Sequence, residues 1–132
     1  MFKFSTRSEN NLKGVHPSLV AVVRRALQLT KADFIVIEGR RTLERQRELY
    51  AQGRTAPGKI VTWTMKSKHI DGVAVDLLPV VGAWEGDFAE ISRAMFAAAK
   101  ELGITIRWGA DWNQNGRPHE KGETDSPHFE LA

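Results

Sequence analysis

The sequence predicts an α+β domain, a small antiparallel sheet packed with helices. Three observations carry that expectation. Short apolar runs of strand composition are interspersed with segments of helical periodicity, without the regular β-α-β repetition of a parallel sheet. The connections are short, which favours antiparallel pairing. The 132 residues hold no internal repeat, low-complexity segment or Pro/Gly/Ser linker, so residues 1–132 are expected to share one core as a single domain.

The elements follow in order. His16-Pro17-Ser18 opens a helix, with proline suited to the first turn, and Leu19, Val22, Val23, Ala26 and Leu27 share one face. Phe34 to Ile37 is a short β-rich run. Thr42 caps a second helix, LERQRELYAQ, which Gly53 stops. Residues 54–67 form a basic loop. Val73 to Val80 predicts a strand. Asp87 caps a third helix with apolar positions Phe88, Ile91, Met95, Ala99 and Leu102, ended by Gly103. Ile104, Ile106 and Trp108 alternate as a half-buried strand does, and after a polar loop His128 to Leu131 forms a short last strand.

Composition excludes several function classes. With 42% hydrophobic and 27% charged residues the chain is ordinary for a soluble protein. No apolar run approaches the ~20 residues of a membrane span, so no stable membrane insertion is expected. The start, MFKFSTRSENN, lacks the apolar stretch of a signal peptide, and synthesis in the cytoplasm is expected. Cysteine is absent, which removes disulfides, thiolate metal sites and cysteine nucleophiles together, so any metal must be held by His, Asp or Glu. Net charge is +3, but between Arg40 and Lys68 eight Lys/Arg face only two acids, Glu44 and Glu48. Such a stretch suits an acidic partner, or is a solvated face; nucleic-acid binding would rest on charge alone, without a basic recognition helix or stacking motif. Neither G-x-S-x-G nor S-x-x-K is present, so serine hydrolysis has no support.

Asp76 poses the sharpest question. It lies in VAVDLLP, so its carboxylate is expected in or near the core, where it is costly without a positive partner. That partner is either a cationic side chain or a metal ion. Of the four histidines, His16 precedes a helix and is structural or exposed, and His119 lies in a polar loop without apolar neighbours. His69 and His128 each adjoin a predicted strand and an acid: Asp76 follows His69 by seven, Asp125 precedes His128 by three, and Glu130 follows it by two. A single histidine there would read as a core residue. Two with a buried acid suggest a site of two imidazoles and one carboxylate, a ligand set that zinc favours.

The motifs add a family. Ser67-x-His69-x-x-Gly72-x-Ala74-x-Asp76 followed by Asp125-x-x-His128 resembles the signature of the zinc peptidases grouped with D-Ala-D-Ala carboxypeptidases, vancomycin-resistance dipeptidases and the hedgehog fold. Gly39-Arg40-Arg41-Thr42 resembles that group's G-x-R-T segment, and Trp108-Gly109-Ala110-Asp111-Trp112 its W-G-G-D-W run with Ala for the second Gly. The opening SENNLKGVHPSLVAVVRRAL is similar to phage endolysins that are L-alanyl-D-glutamate peptidases.

The resemblance implies a hedgehog/DD-peptidase-like fold and a zinc site of His69, Asp76 and His128. It implies Asp125 as general base, in the Asp form of the endolysin branch, and Arg41 as the cation that steadies the charged intermediate. Arg40 is then an ordinary exposed arginine. Ser67 is expected to contact substrate, or simply to hydrogen-bond its loop. Asp76 would tolerate its apolar neighbours because zinc is its partner, and Gly72 would let the chain turn between ligand histidine and ligand strand.

The implied activity is endopeptidase cleavage of peptidoglycan stem peptides at the L-Ala–D-Glu bond, leading to host cell lysis. The expected partner is bacterial peptidoglycan, met in the periplasm after holin-type release by a monomer without a separate wall-binding domain. The alternatives are a D,D-carboxypeptidase or dipeptidase of the same fold, and a non-catalytic zinc-stabilised wall-binding module. Asp125 and Arg41 argue against the latter, since a structural zinc needs neither. A second cation site is suggested by Asp111-x-Asn113-x-Asn115-Gly116, which copies the start of a calcium loop but lacks its acidic residue, because position 122 is Gly. An Asx-rich turn is the competing explanation.

Overall fold

The computed structural model describes residues 2–60, 67–120 and 124–132. The element order is α1 (Thr6–Leu12), α2 (Pro17–Leu29), β1 (Phe34–Glu38), α3 (Leu43–Ala51), β2 (Ala74–Pro79), a 3-10 turn (Ala83–Glu85), α4 (Phe88–Leu102), β3 (Ile106–Trp108) and β4 (His128–Leu131). The four strands form one sheet in the order β1-β2-β4-β3, antiparallel throughout. The expected α+β class and strand pairing are therefore observed. Residues 61–66 and 121–123 lie outside the described residues, and with them Lys66, much of the basic loop and position 122.

The sheet has two chemically different faces because strand side chains alternate. Val36, Val75, Leu77 and Phe129, all with no exposure, point to the side covered by helices. There α2 contributes Leu19, Val22, Val23 and Ala26, and α4 contributes Ile91, Ala94, Met95 and Ala98, every one fully buried. The α4 stripe differs from expectation at its end. Leu102, assigned to the apolar face by spacing, is 43% exposed, because the last turn extends beyond the packed face. Helix starts are capped as expected: the Thr42 hydroxyl accepts from the Arg45 amide (3.1 Å) and Asp87 Oδ1 from the Glu90 amide (3.0 Å). His16 caps α2 through Nδ1, which accepts from the Ser18 amide at 3.1 Å.

The opposite face carries Asp76, His128, Glu130 and Glu38. Cross-strand partners sit on the same side, and Asp76 pairs with Glu38 of β1 and His128 of β4, while Glu130 pairs with Ala74 and Arg107. Glu38 reaches that face through a bulge. Val36 pairs with Leu77, so Ile37 would regularly oppose Asp76, but the register shifts and Glu38 takes the position.

Helix α1 was not expected from the sequence, since TRSENNL has no apolar stripe. It is held by tertiary bonds to the edge strand: Ser8 Oγ accepts from the Val36 amide (3.1 Å), and Asn11 Nδ2 donates to the Val36 carbonyl (2.8 Å). These bonds satisfy backbone groups that an uncovered edge would leave open.

Candidate metal centre and catalytic groups

His69 is set by the turn that leads into β2. The Ser67 hydroxyl accepts from the His69 amide (3.2 Å), and the His69 carbonyl accepts from the amides of Gly72 (3.1 Å) and Arg41 (2.8 Å). Gly72 adopts φ +72°, and a Cβ there would lie 2.5 Å from the Gly14 carbonyl oxygen, so this turn requires glycine. Asp76 follows two residues into β2, opposite His128 at the start of β4.

The three side chains converge. Asp76 Oδ1 lies 3.2 Å from His69 Nε2 and 3.3 Å from His128 Nδ1, and the three donor atoms all fall within 4.8 Å of one another. Ligand atoms around a tetrahedral zinc, with bonds of about 2.0–2.1 Å, stand about 3.3 Å apart. Asp76 Oδ1 is buried and has no hydrogen-bond partner of good geometry, so the atoms face a common centre rather than one another. The outer ring nitrogens are taken up: His69 Nδ1 meets the Gly39 carbonyl at 2.8 Å, and His128 Nε2 meets Glu130 Oε1 at 2.9 Å. Metal-binding histidines are characteristically held in this way by carbonyl or carboxylate acceptors. The residues present therefore fit a bound cation of the zinc type, and this is the one such cluster of His, Asp and Glu among the described residues.

Electrostatics agree with the geometry. Burial alone would raise the Asp76 pKa, but the adjoining His128 and His69 outweigh it and hold the carboxyl well below the usual range. For His128 burial disfavours charge, yet Asp76 and Glu130 prevail and lift it to about 9. Three carboxylates, Asp76, Asp125 and Glu130, surround that one ring, so the site calls for positive charge.

Asp125 stands beside the cluster, with Oδ2 3.8 Å from His128 Nδ1 and its side chain half exposed. Its pKa is raised, first by desolvation and then, against the pull of His128, by the Asp76 charge. The segment is pinned to the β3 end: the Asp125 amide donates to the Gly109 carbonyl (3.2 Å), the Gly109 amide donates to the His128 carbonyl (2.8 Å), and Trp108 Nε1 donates to the Ser126 carbonyl (2.6 Å). A Cβ on Gly109 would collide with the Asp125 backbone carbonyl, which explains why glycine stands in this run.

Arg41, with a side chain only 10% exposed, is tightly framed. Its Nε and Nη2 donate to the two Glu38 carboxylate oxygens (2.7 and 2.6 Å), and Nη1 donates to Gln46 Oε1 (2.6 Å) with Ser67 Oγ at 3.5 Å. Gln46 is fully buried. Arg40 is exposed, its side chain lying over Gly14.

Sequence reasoning assigned no role to Glu38, Gln46, Gly39 or Glu130. Glu130 gave a signal as an acid two residues past His128 on a strand, hence on the same face, and Gly39 only as the first residue of the G-x-R-T match. His119 differs from expectation: although its chain neighbours are polar, its ring packs edge-on against Trp108 at 5.8 Å. Trp112 lies against His128, with ring centroids 5.3 Å apart.

The Asp111 loop is self-satisfied. Asp111 Oδ1 and Asn113 Oδ1 accept from the Asn115 amide (both 3.2 Å), Asp111 Oδ2 from the Gly116 amide (3.0 Å), and Asn115 Oδ1 from the Arg117 amide (2.8 Å). These are Asx turns.

A family model described as phage L-alanyl-D-glutamate peptidase matches residues 1–132. The L-alanyl-D-glutamate peptidase of Escherichia phage T5 is 38% identical over 139 residues, covering 99% of this chain and 98% of that protein. Among solved structures, the Serratia marcescens L-Ala D-Glu endopeptidase ChiX superposes with a TM-score of 0.79 at 38% identity, over 99% of this chain and 90% of that one. The vancomycin-resistance D,D-dipeptidase VanXYg shares the fold alone, with a TM-score of 0.55 at 20% identity, over 89% of this chain and 50% of that one.

Proposed function

Because the chain belongs to the phage L-alanyl-D-glutamate peptidase family, we propose that it is a zinc-dependent endopeptidase that hydrolyses the L-Ala–D-Glu bond of peptidoglycan stem peptides. The observation that carries the reading is the convergence of His69 Nε2, Asp76 Oδ1 and His128 Nδ1 with Asp125 at their side. His69, Asp76 and His128 would hold the zinc. When bound, zinc supplies a Lewis acid that makes water a nucleophile at neutral pH and polarises a carbonyl.

The chain's own groups do the rest. Asp125 takes the proton of the attacking water as oxygen adds to the L-Ala carbonyl carbon. The C–N bond then breaks, and Asp125 returns the proton to the departing D-Glu amine. Arg41 faces the negative charge that develops on the carbonyl oxygen. Glu38 and Gln46 fix its guanidinium, so its orientation is set before substrate arrives. Ser67 spans Arg41 and the His69 turn, and we assign it a contact to the substrate backbone.

We further propose that it reaches the wall as a monomer released into the periplasm by a holin-type pore, with lysis as the outcome. Mass spectrometry of digested peptidoglycan tests the bond: new N-terminal D-Glu is expected, whereas free terminal D-Ala alone would give the D,D-carboxypeptidase alternative, and glycan cuts alone would end the peptidase assignment. Calcium at Asp111, Asn113 and Asn115 is the finer cofactor assignment. Calorimetry on zinc-loaded protein tests it, because the absence of calcium heat at millimolar concentration would leave the Asx turns as a purely structural loop.

A further inference from the structure

The two histidines of the centre are supported differently. His69 presents Nε2 inward and rests its outer nitrogen on a neutral backbone carbonyl, that of Gly39. His128 presents Nδ1 inward and rests its outer nitrogen on the Glu130 carboxylate. The Glu130 side chain is only 8% exposed, and a buried carboxylate is retained at a cost unless it is paired. Strand alternation puts Glu130 on the same face as His128, and the small Ala74 across the ladder leaves that face open to both. Nothing in the catalytic steps uses Glu130.

We propose that Glu130 is the positioning residue of the metal centre: it holds the proton on His128 Nε2, so that the Nδ1 lone pair faces the metal. The inference rests on the zinc reading above. The carboxylate fixes the tautomer and makes the imidazole a stronger donor, as outer carboxylates do for metal-bound histidines. It also adds a negative charge on the far side of the ring, beside those of Asp76 and Asp125, which favours a bound dication.

Zinc dissociation constants of the wild type, Glu130→Gln and Glu130→Ala, measured by competition with a chromophoric chelator at one pH, test the assignment. Loss of an outer carboxylate is expected to weaken zinc by about 10- to 100-fold. Glu130→Ala should lie at the upper end. Glu130→Gln, which keeps an acceptor oxygen but not the charge, should lie at the lower end. Thermal melts of the zinc-free proteins separate this from a folding defect, and if Glu130→Ala does not fold, Glu130→Gln decides. Affinities of both variants within twofold of wild type would overturn the inference while leaving the zinc site standing. A wild type that binds no zinc would overturn both.

Discussion

The two faces of the sheet are built on opposite principles. The helical face is complete as it stands: Val36, Val75, Leu77 and Phe129 meet α2 and α4 with no exposure. The other face brings Asp76, His128, Glu130 and Glu38 together and holds a buried Asp76 oxygen that no hydrogen bond of good geometry satisfies. One face is stabilised by removing apolar surface from water; the other needs a cation to balance it. Alternation along β2 and β4 lets both coexist without interfering, so changes on one face should leave the other largely intact.

The largest break should come from Asp76→Ala. Zinc content should fall from about one equivalent to none, wall-lysing activity should vanish, and the melting temperature should drop toward that of the chelated wild type, because metal binding is coupled to folding. Elemental analysis beside turbidity loss of permeabilised cells measures this. Retained zinc would reassign the ligand set. Asp125→Ala should keep zinc and fold yet lose about two to four orders of magnitude in activity, the contribution of a positioned general base.

Gly109→Ala should act through the same residue. The added methyl displaces the Asp125 backbone, and a misplacement near 1 Å costs on the order of 100-fold, with zinc again retained. Wild-type activity there would mean that the segment relaxes without moving the carboxylate.

The smallest effect belongs to the helical face. Glu90 on α4 is held at about 2, chiefly by the Arg93 hydrogen bonds and also by the Lys31 amide, against the desolvation that opposes them. Its folded pKa lies below its ordinary value of 4.5, so its contribution to stability is present above that value and fades as pH falls toward 2. Zinc-free wild type and Glu90→Gln should therefore differ in denaturation midpoint at neutral pH and converge between those limits. Activity per folded molecule should be equal at neutral pH. A difference that persists at pH 2 would remove Glu90 as its source.

Legibility in the sequence followed the same division. Helices α2 and α4 and the strands were readable because burial imposes a period, and α3 was readable from its cap and stop. Helix α1 was not, because its residues are polar and its stability comes from Ser8 and Asn11 bonding to Val36. His69, Asp76 and His128, expected as ligands from their acid neighbours and the family motifs, have side chains that converge. The supports were not readable. The bulge that turns Glu38 toward Arg41 depends on register with β2, and the carbonyl that holds His69 belongs to a residue thirty positions away in the chain.

That carbonyl separates the two ligands as objects of heredity. A single codon change can delete a carboxylate, whereas no codon encodes the loss of a main-chain oxygen. A Cβ at Gly39 would nevertheless collide with the Asn11 backbone carbonyl, so the support under His69 lasts only while that position stays glycine. The support under His128 is a side chain and is open to replacement in one step. On the zinc reading, the centre can be retuned at position 130 by replacing one side chain, whereas at Gly39 any side chain would move the main chain that holds His69.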